Sequence, residues 1–156
     1  DAVFGDAVHL TLRSPRELIR LLDVIVREHD ASERGDLICG KSISEGMDKY
    51  VIETIGNWYK EKSLQQIYRV GKIAFVNKDV QATFKVSDQG ARVKIKGWEE
   101  EGLVAQEGTI PSELGGKQVY RYVICDPRAA RIVERRLDEL VGADIDSEEG
   151  ASGGAG

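Results

Sequence analysis

Residues 78–124, KDVQATFKVSDQGARVKIKGWEEEGLVAQEGTIPSELGGKQVYRYVI, decide how this chain is read. The patterns run helix, tight turn, second helix, then a hairpin with a long loop. The second helix is the clearest. Ser87 stands before Asp88 and Gln89, which fits an N-cap followed by an acidic group at the positive helix end. Ala91, Ile95 and Trp98 recur at helical spacing and predict a buried face, and Leu103 continues it. Gly102, after three glutamates, fits a helix C-cap. Gly97 weakens such a helix by about 1 kcal/mol relative to Ala, unless it marks a close packing contact.

The flanking pieces complete the unit. Lys78, Val80 and Phe84 predict two turns of a first helix with one apolar side, and residues 85–87 are the turn. Val104 opens a strand that leads into a loop marked by Glu107, Gly108, Pro111, Gly115 and Gly116. Residues 118–124 return as a strand in which Val119, Arg121 and Val123 alternate with Tyr120, Tyr122 and Ile124. The loop tip carries Lys117 but also Glu113, so it is not strongly basic.

Residues 64–124 resemble winged helix-turn-helix domains, and GWEEEGLV at 97–104 is similar to the end of many recognition helices. The resemblance implies a second helix presented to a DNA groove. Its exposed face would then carry Gln89, Arg92, Val93 and Lys96, with Lys94 on a flank and the hairpin adding Lys117 and Arg121. Two other readings stay open. The cations could be a solvated face, or the same architecture could dock a protein.

A second signal lies near the start. In SPRELIRLL (residues 14–22), Ser14 caps, Pro15 takes the first helical position, and Glu17 completes a capping box. Leu18, Leu21, Leu22, Ile25 and Val26 are the expected buried face. These words resemble the opening of the lid helix in P-loop ATPases of the AAA+ and signalling types. That resemblance implies that Arg16 reaches nucleotide phosphates in a full-length protein, where ATP would be the cofactor. Residues 40–75 read as two further amphipathic helices, with Val51, Ile52, Ile55, Trp58 and Tyr59, and then Leu64, Ile67, Tyr68, Val70, Ile73, Ala74 and Phe75. Lid helices, a connecting helix and a winged helix form an order seen at the C-terminal end of such ATPases. The chain contains no G-x-x-x-x-G-K-[ST], and it begins at Asp1 just before the lid-like words. The expectation is a C-terminal piece that holds no cofactor, is not itself an enzyme, and pairs with a missing ATPase domain.

Charge and composition set the remaining bounds. An apolar share of 41% suffices for a core, and the net charge is −5. Residues 60–141 hold 15 Lys and Arg against 12 Asp and Glu, whereas residues 1–59 hold 7 against 11. The acidity therefore lies outside the winged-helix part, although a balance of +3 is modest for a DNA binder. After Asp126 and Pro127, Ala130, Ile132, Val133, Leu137 and Leu140 predict a last helix. Its Arg128, Arg131, Arg135 and Arg136 read as a solvated face partnered by Glu134, Asp138 and Glu139, with phosphate contact as the alternative. Cys39 and Cys125 read as buried free thiols, His9 and His29 as isolated, and no spacing suggests zinc. Nothing reads as a membrane span, and the expected compartment is the cytoplasm.

The sequence therefore predicts a mainly α chain with a small β wing, a helical lid-like region followed by a winged helix-turn-helix. The expected divisions are 1–62, 63–141 and a disordered tail at 142–156. The expected function is DNA binding by a module of an ATPase-like protein. The alternative is a docking or homo-oligomerisation module without DNA contact.

Overall fold

The computed structural model describes residues 2–32, 35–111, 115–116 and 118–141. The predicted tail at 142–156, Glu113 and Lys117 lie outside the described residues. Three helices come first: α1 (Ala2–Leu10), α2 (Pro15–Ala31) and α3 (Gly40–Thr54). A 3-10 turn (Ile55–Asn57) leads to α4 (Glu61–Val70), β1 (Ala74–Val76), α5 (Asn77–Phe84) and α6 (Asp88–Glu100). Strands β2 (Val104–Ile110) and β3 (Val119–Ile124) form the hairpin, and α7 (Pro127–Arg135) and α8 (Asp138–Val141) close the order. The sheet is antiparallel in the order β1-β3-β2. This is a mainly helical chain with a small wing, and α4 to β3 form the winged helix-turn-helix.

Local chemistry sets the bounds of α6. Ser87 Oγ accepts from the Gly90 N–H at 3.2 Å, and Gly102 follows the helix at φ +74°. Lys85, at φ +52°, ends α5 and makes the turn between the helices. Ala91, Ile95 and Trp98 are buried. Trp98 is the centre of this half. Its ring meets Phe75 edge-on at 6.0 Å and Phe84 at 6.4 Å, and its Nε1–H donates to Gln66 Oε1 at 3.1 Å. The core continues from these residues through Leu64 and Ile67 to Tyr50, Val51, Leu21 and Ile25 in one cluster. Helix α4 has no side-chain cap of its own, and Glu101 at the end of α6 serves instead. Its carboxylate accepts from the Ser63 hydroxyl at 2.6 Å and the Lys60 N–H at 3.4 Å.

Several expectations are corrected. The helix predicted through residue 75 stops at Val70, because Gly71 takes φ +66°. Residues 74–76 are instead β1, whose Ala74, Phe75 and Val76 pair with Val123, Tyr122 and Arg121. Strand β2 runs on through Glu107 and Gly108 to Ile110, absorbing them as a bulge opposite Tyr122 and Arg121. The helix predicted through Tyr59 ends at Thr54, and Trp58 is exposed. The last helix breaks at Arg136, which takes φ +55°.

Helix α2 carries a different buried face from the one predicted. Leu21, Val24, Ile25 and His29 are buried and Leu18 is partly so, whereas Leu22 and Val26 are exposed. Ser14 Oγ accepts from the Glu17 N–H at 3.4 Å, but the Glu17 carboxylate accepts from the Tyr50 hydroxyl instead of closing the box. His29 is not isolated. Its Nε2–H donates to the Gly35 carbonyl at 2.7 Å, and its Nδ1 is hydrogen-bonded to Ser42 Oγ at 3.0 Å, tying the loop to α3. Cys39 and Cys125 are exposed, because they fall at element ends where the chain turns outward.

Arg128, Arg131 and Arg135 are braces and not a free face. Arg128 is only 2% exposed and grips Asp126 through Nε at 3.0 Å and Nη2 at 2.6 Å. Asp126 also accepts from the Tyr59 hydroxyl at 2.8 Å, and the Arg128 guanidinium lies 4.8 Å from the centre of the Trp58 ring. Arg131 and Arg135 reach Asp48 of α3 at 2.8 and 2.9 Å, so α7 is bound to the N-terminal helices. Only Arg136 uses the expected neighbours, Asp138 and Glu139.

Burial alone pushes the Asp126 carboxyl up. The Arg128 side chain, the Tyr59 hydroxyl and the Arg128 amide outweigh it and hold Asp126 below its usual value. A carboxyl depressed in the folded state adds stability above about pH 4, and that stability is lost as the pH falls through the folded value. Asp126→Asn strands the buried Arg128 charge and should lower unfolding free energy by about 3–5 kcal/mol near neutral pH. Urea titrations should also show a shallower acid loss in the variant than in the parent.

Two glycines give an opposite pair of outcomes. A Cβ on Gly46 would stand 2.6 Å from Ile25 Cγ1 and 2.7 Å from its Cα, so α2 and α3 cross there only because the side chain is missing. A Cβ on Gly97 meets nothing within 4 Å, which removes the close-packing reading of that residue. Gly46→Ala should destabilise by about 1–3 kcal/mol, and Gly97→Ala should stabilise by about 0.5–1 kcal/mol. Thermal melts of the two variants moving in opposite directions check both.

Candidate nucleic-acid interface

The outer face of α6 is set by its buried one. With Ala91, Ile95 and Trp98 inward, Gln89, Arg92, Val93 and Lys96 are exposed. Val93 is 63% exposed in the middle of this face. Lys94 is diverted from it, since its Nζ lies 4.9 Å from the centre of the Phe84 ring, which Arg69 also approaches at 5.1 Å.

Arg92, Lys96 and Arg121 each have an acidic neighbour. Arg92 Nε meets Asp88 at 2.8 Å one turn back, and Lys96 Nζ lies 3.9 Å from Glu100 one turn on. Arg121 on β3 meets Glu107 on β2 at 3.4 Å across the hairpin. These are surface pairs worth about 0–1 kcal/mol each, so a phosphate could displace the carboxylates at little loss. They still lower the positive potential of the face. Lys78 and Lys85 are exposed and form no ion pair among the described residues.

A cleft of about 710 Å³ opens between α5, the start of α6 and β3. Its walls include Asn77, Lys78 and Gln81 from α5, Arg92 from α6, and Gln118 and Tyr120 from the hairpin. Amides, two cations, two phenols and the Asp88 carboxylate that pairs with Arg92 thus surround one concavity. Tyr122 also lines it, and burial, reinforced by Glu99, pushes its phenol up. Of the predicted residues, this groove gathers only Arg92. Gln89, Val93 and Lys96 stay on the α6 face outside its walls, and Arg121 is the strand neighbour of Tyr120. Lys117 lies outside the described residues.

The groove residues that sequence reasoning missed are Asn77, Lys78, Gln81, Asp88, Gln118, Val119, Tyr120 and Tyr122. Their proximity depends on β1. Its last residue, Val76, pairs with Arg121, which sets Asn77 beside Tyr120. With residues 74 and 75 read as helix, nothing linked the start of α5 to the hairpin. Arg16 is exposed on the first turn of α2, forms no ion pair among the described residues, and does not line the cleft.

No group of three or more His, Cys, Asp or Glu among the described residues could hold a metal ion. No helix among them is long and apolar enough to cross a membrane. Comparison of the chain with protein-family models, with curated proteins and with solved structures finds no match.

Proposed function

We propose that this chain binds duplex DNA, with α6 entering the major groove and the β2/β3 hairpin bearing on the flanking backbone. The observation that carries the reading is the exposed face of α6 beside a polar cleft closed by α5 and the hairpin. Gln89, Arg92 and Lys96 then face bases and phosphates, and Lys78, Lys117 and Arg121 support the backbone. Arg92 is the hinge of the arrangement, since it belongs both to the α6 face and to the cleft.

The link to a P-loop ATPase belongs to the same proposal and rests on SPRELIRLL and on the order of helices. Arg16, exposed and without an ion pair among the described residues, is free to meet a nucleotide phosphate supplied by another domain of a longer protein.

One observation favours a second reading, in which the same face docks a protein. Among the described residues of the winged helix Val93 is the most exposed large apolar one, and its neighbours Arg92 and Lys96 are already partnered by acids. Salt separates the two. Affinity for DNA falls steeply with salt through counterion release, and an apolar contact is nearly indifferent.

Arg92→Ala with Lys96→Ala should weaken binding to a random duplex by about tenfold and lower the salt slope by about 2. Both side chains are more than half exposed, so the fold should be retained. Fluorescence anisotropy at two ionic strengths measures both effects. An unchanged affinity in the double variant would remove α6 from the interface.

A further inference from the structure

Apolar exposure is concentrated at one end of this molecule. Among the described residues, eight of the fourteen exposed large hydrophobic side chains lie between residues 3 and 38. Three of them form a stripe on α2: Ile19 at 69%, Leu22 at 50% and Val26 at 44% exposed. Their spacing of three and four residues is that of a helix seam and not of scattered surface residues. The stripe adjoins the buried face of α2 and is separate from it, because Leu21, Val24 and Ile25 already serve the core.

The charges of α2 point to the occupant. Asp23 pairs with Arg27, Glu28 with Lys49, and Glu17 with the Tyr50 hydroxyl. Arg16, Arg20 and Asp30 remain without a partner among the described residues. Arg16 and Asp30 are fourteen residues apart, four turns less a fraction, so they project from the same side of the helix roughly 21 Å from each other. The stripe lies between them. Such a surface is its own complement when reversed.

We propose that α2 pairs with α2 of a second copy of this chain, antiparallel, about a two-fold axis crossing at Leu22 and Asp23. Leu22 meets its own counterpart, and Ile19 meets Val26 of the second copy. Arg16 meets Asp30 of the second copy, and the symmetric pair forms at the other end. Parallel pairing would set Arg16 against Arg16 and Asp30 against Asp30. The apolar seam supplies the affinity and the two ion pairs fix the direction. This use of Arg16 excludes its use toward a phosphate in the same complex. The inference does not rest on the DNA reading, and either can fail alone.

Sedimentation velocity of the full chain across the micromolar range tests it, with circular dichroism as the check on folding. The parent should be a concentration-dependent dimer. Leu22→Asp, at an exposed position, should raise the dissociation constant at least about fivefold. Arg16→Asp and Asp30→Arg should each weaken the dimer by setting like charges together, and the double swap should restore it. A parent that stays monomeric across this range overturns the proposal. A dimer indifferent to Leu22→Asp, or a double swap no tighter than either single, overturns it equally.

Discussion

The rest of the structure depends on a buried ion pair between neighbours in sequence, Asp126 and Arg128. Both are nearly inaccessible, and an isolated charge at that depth is not tolerated. The geometry meets the demand. The guanidinium takes both carboxylate oxygens, the same carboxylate caps α7 through the Arg128 N–H, and Tyr59 supplies a further donor. Burial and the Asp126 carboxylate push the Tyr59 phenol up, so it stays a donor. The pair joins three pieces of chain: the end of β3, the start of α7, and the segment that follows α3. The position of the winged helix relative to α3 is thereby fixed by electrostatics as much as by apolar contact.

That junction explains why the arginines of α7 are not available to a phosphate. Arg131 and Arg135 converge on Asp48, and Arg131 also donates to the Ser44 carbonyl. The segment with Arg128, Arg131, Arg135 and Arg136 reads as basic, but the first three, those of α7, are ties within the molecule. The positive balance of residues 60–141 therefore overstates what the surface can offer. Among the outward cations, those on α6 and β3 carry local acidic partners.

Much of the winged helix was legible because its signals are local. Ser87, Gly102 and the spacing of Ala91, Ile95 and Trp98 fix α6 with no help from distant chain. The errors fell where partners lie far apart in sequence. Residues 74 and 75 look helical by periodicity, and they belong to a strand only because β3, nearly fifty residues later, pairs with them. Leu22 and Val26 fit the apolar pattern of α2, but Gly46 brings α3 against Ile25 and turns that stripe outward. Arg128 cannot be told from Arg131 or Arg135 by spacing. Its burial follows from Trp58 and Tyr59, whose place is set by the break after Thr54. The same limit applies to the cleft, whose walls come from elements that only the sheet brings together.

A modest positive balance has a consequence for binding. One winged helix with a few exposed cations neutralises few phosphates, and its affinity at physiological salt would be low. Two copies joined through α2 would double those contacts and convert the second encounter into an intramolecular one. A two-fold pair of groove-facing helices also demands a site with matching symmetry, whose half-sites recur at whole turns of the duplex. Charge left off the recognition face would then be recovered as geometry. Binding strength would come from the spacing of two weak contacts, and specificity from the requirement that both fit at once.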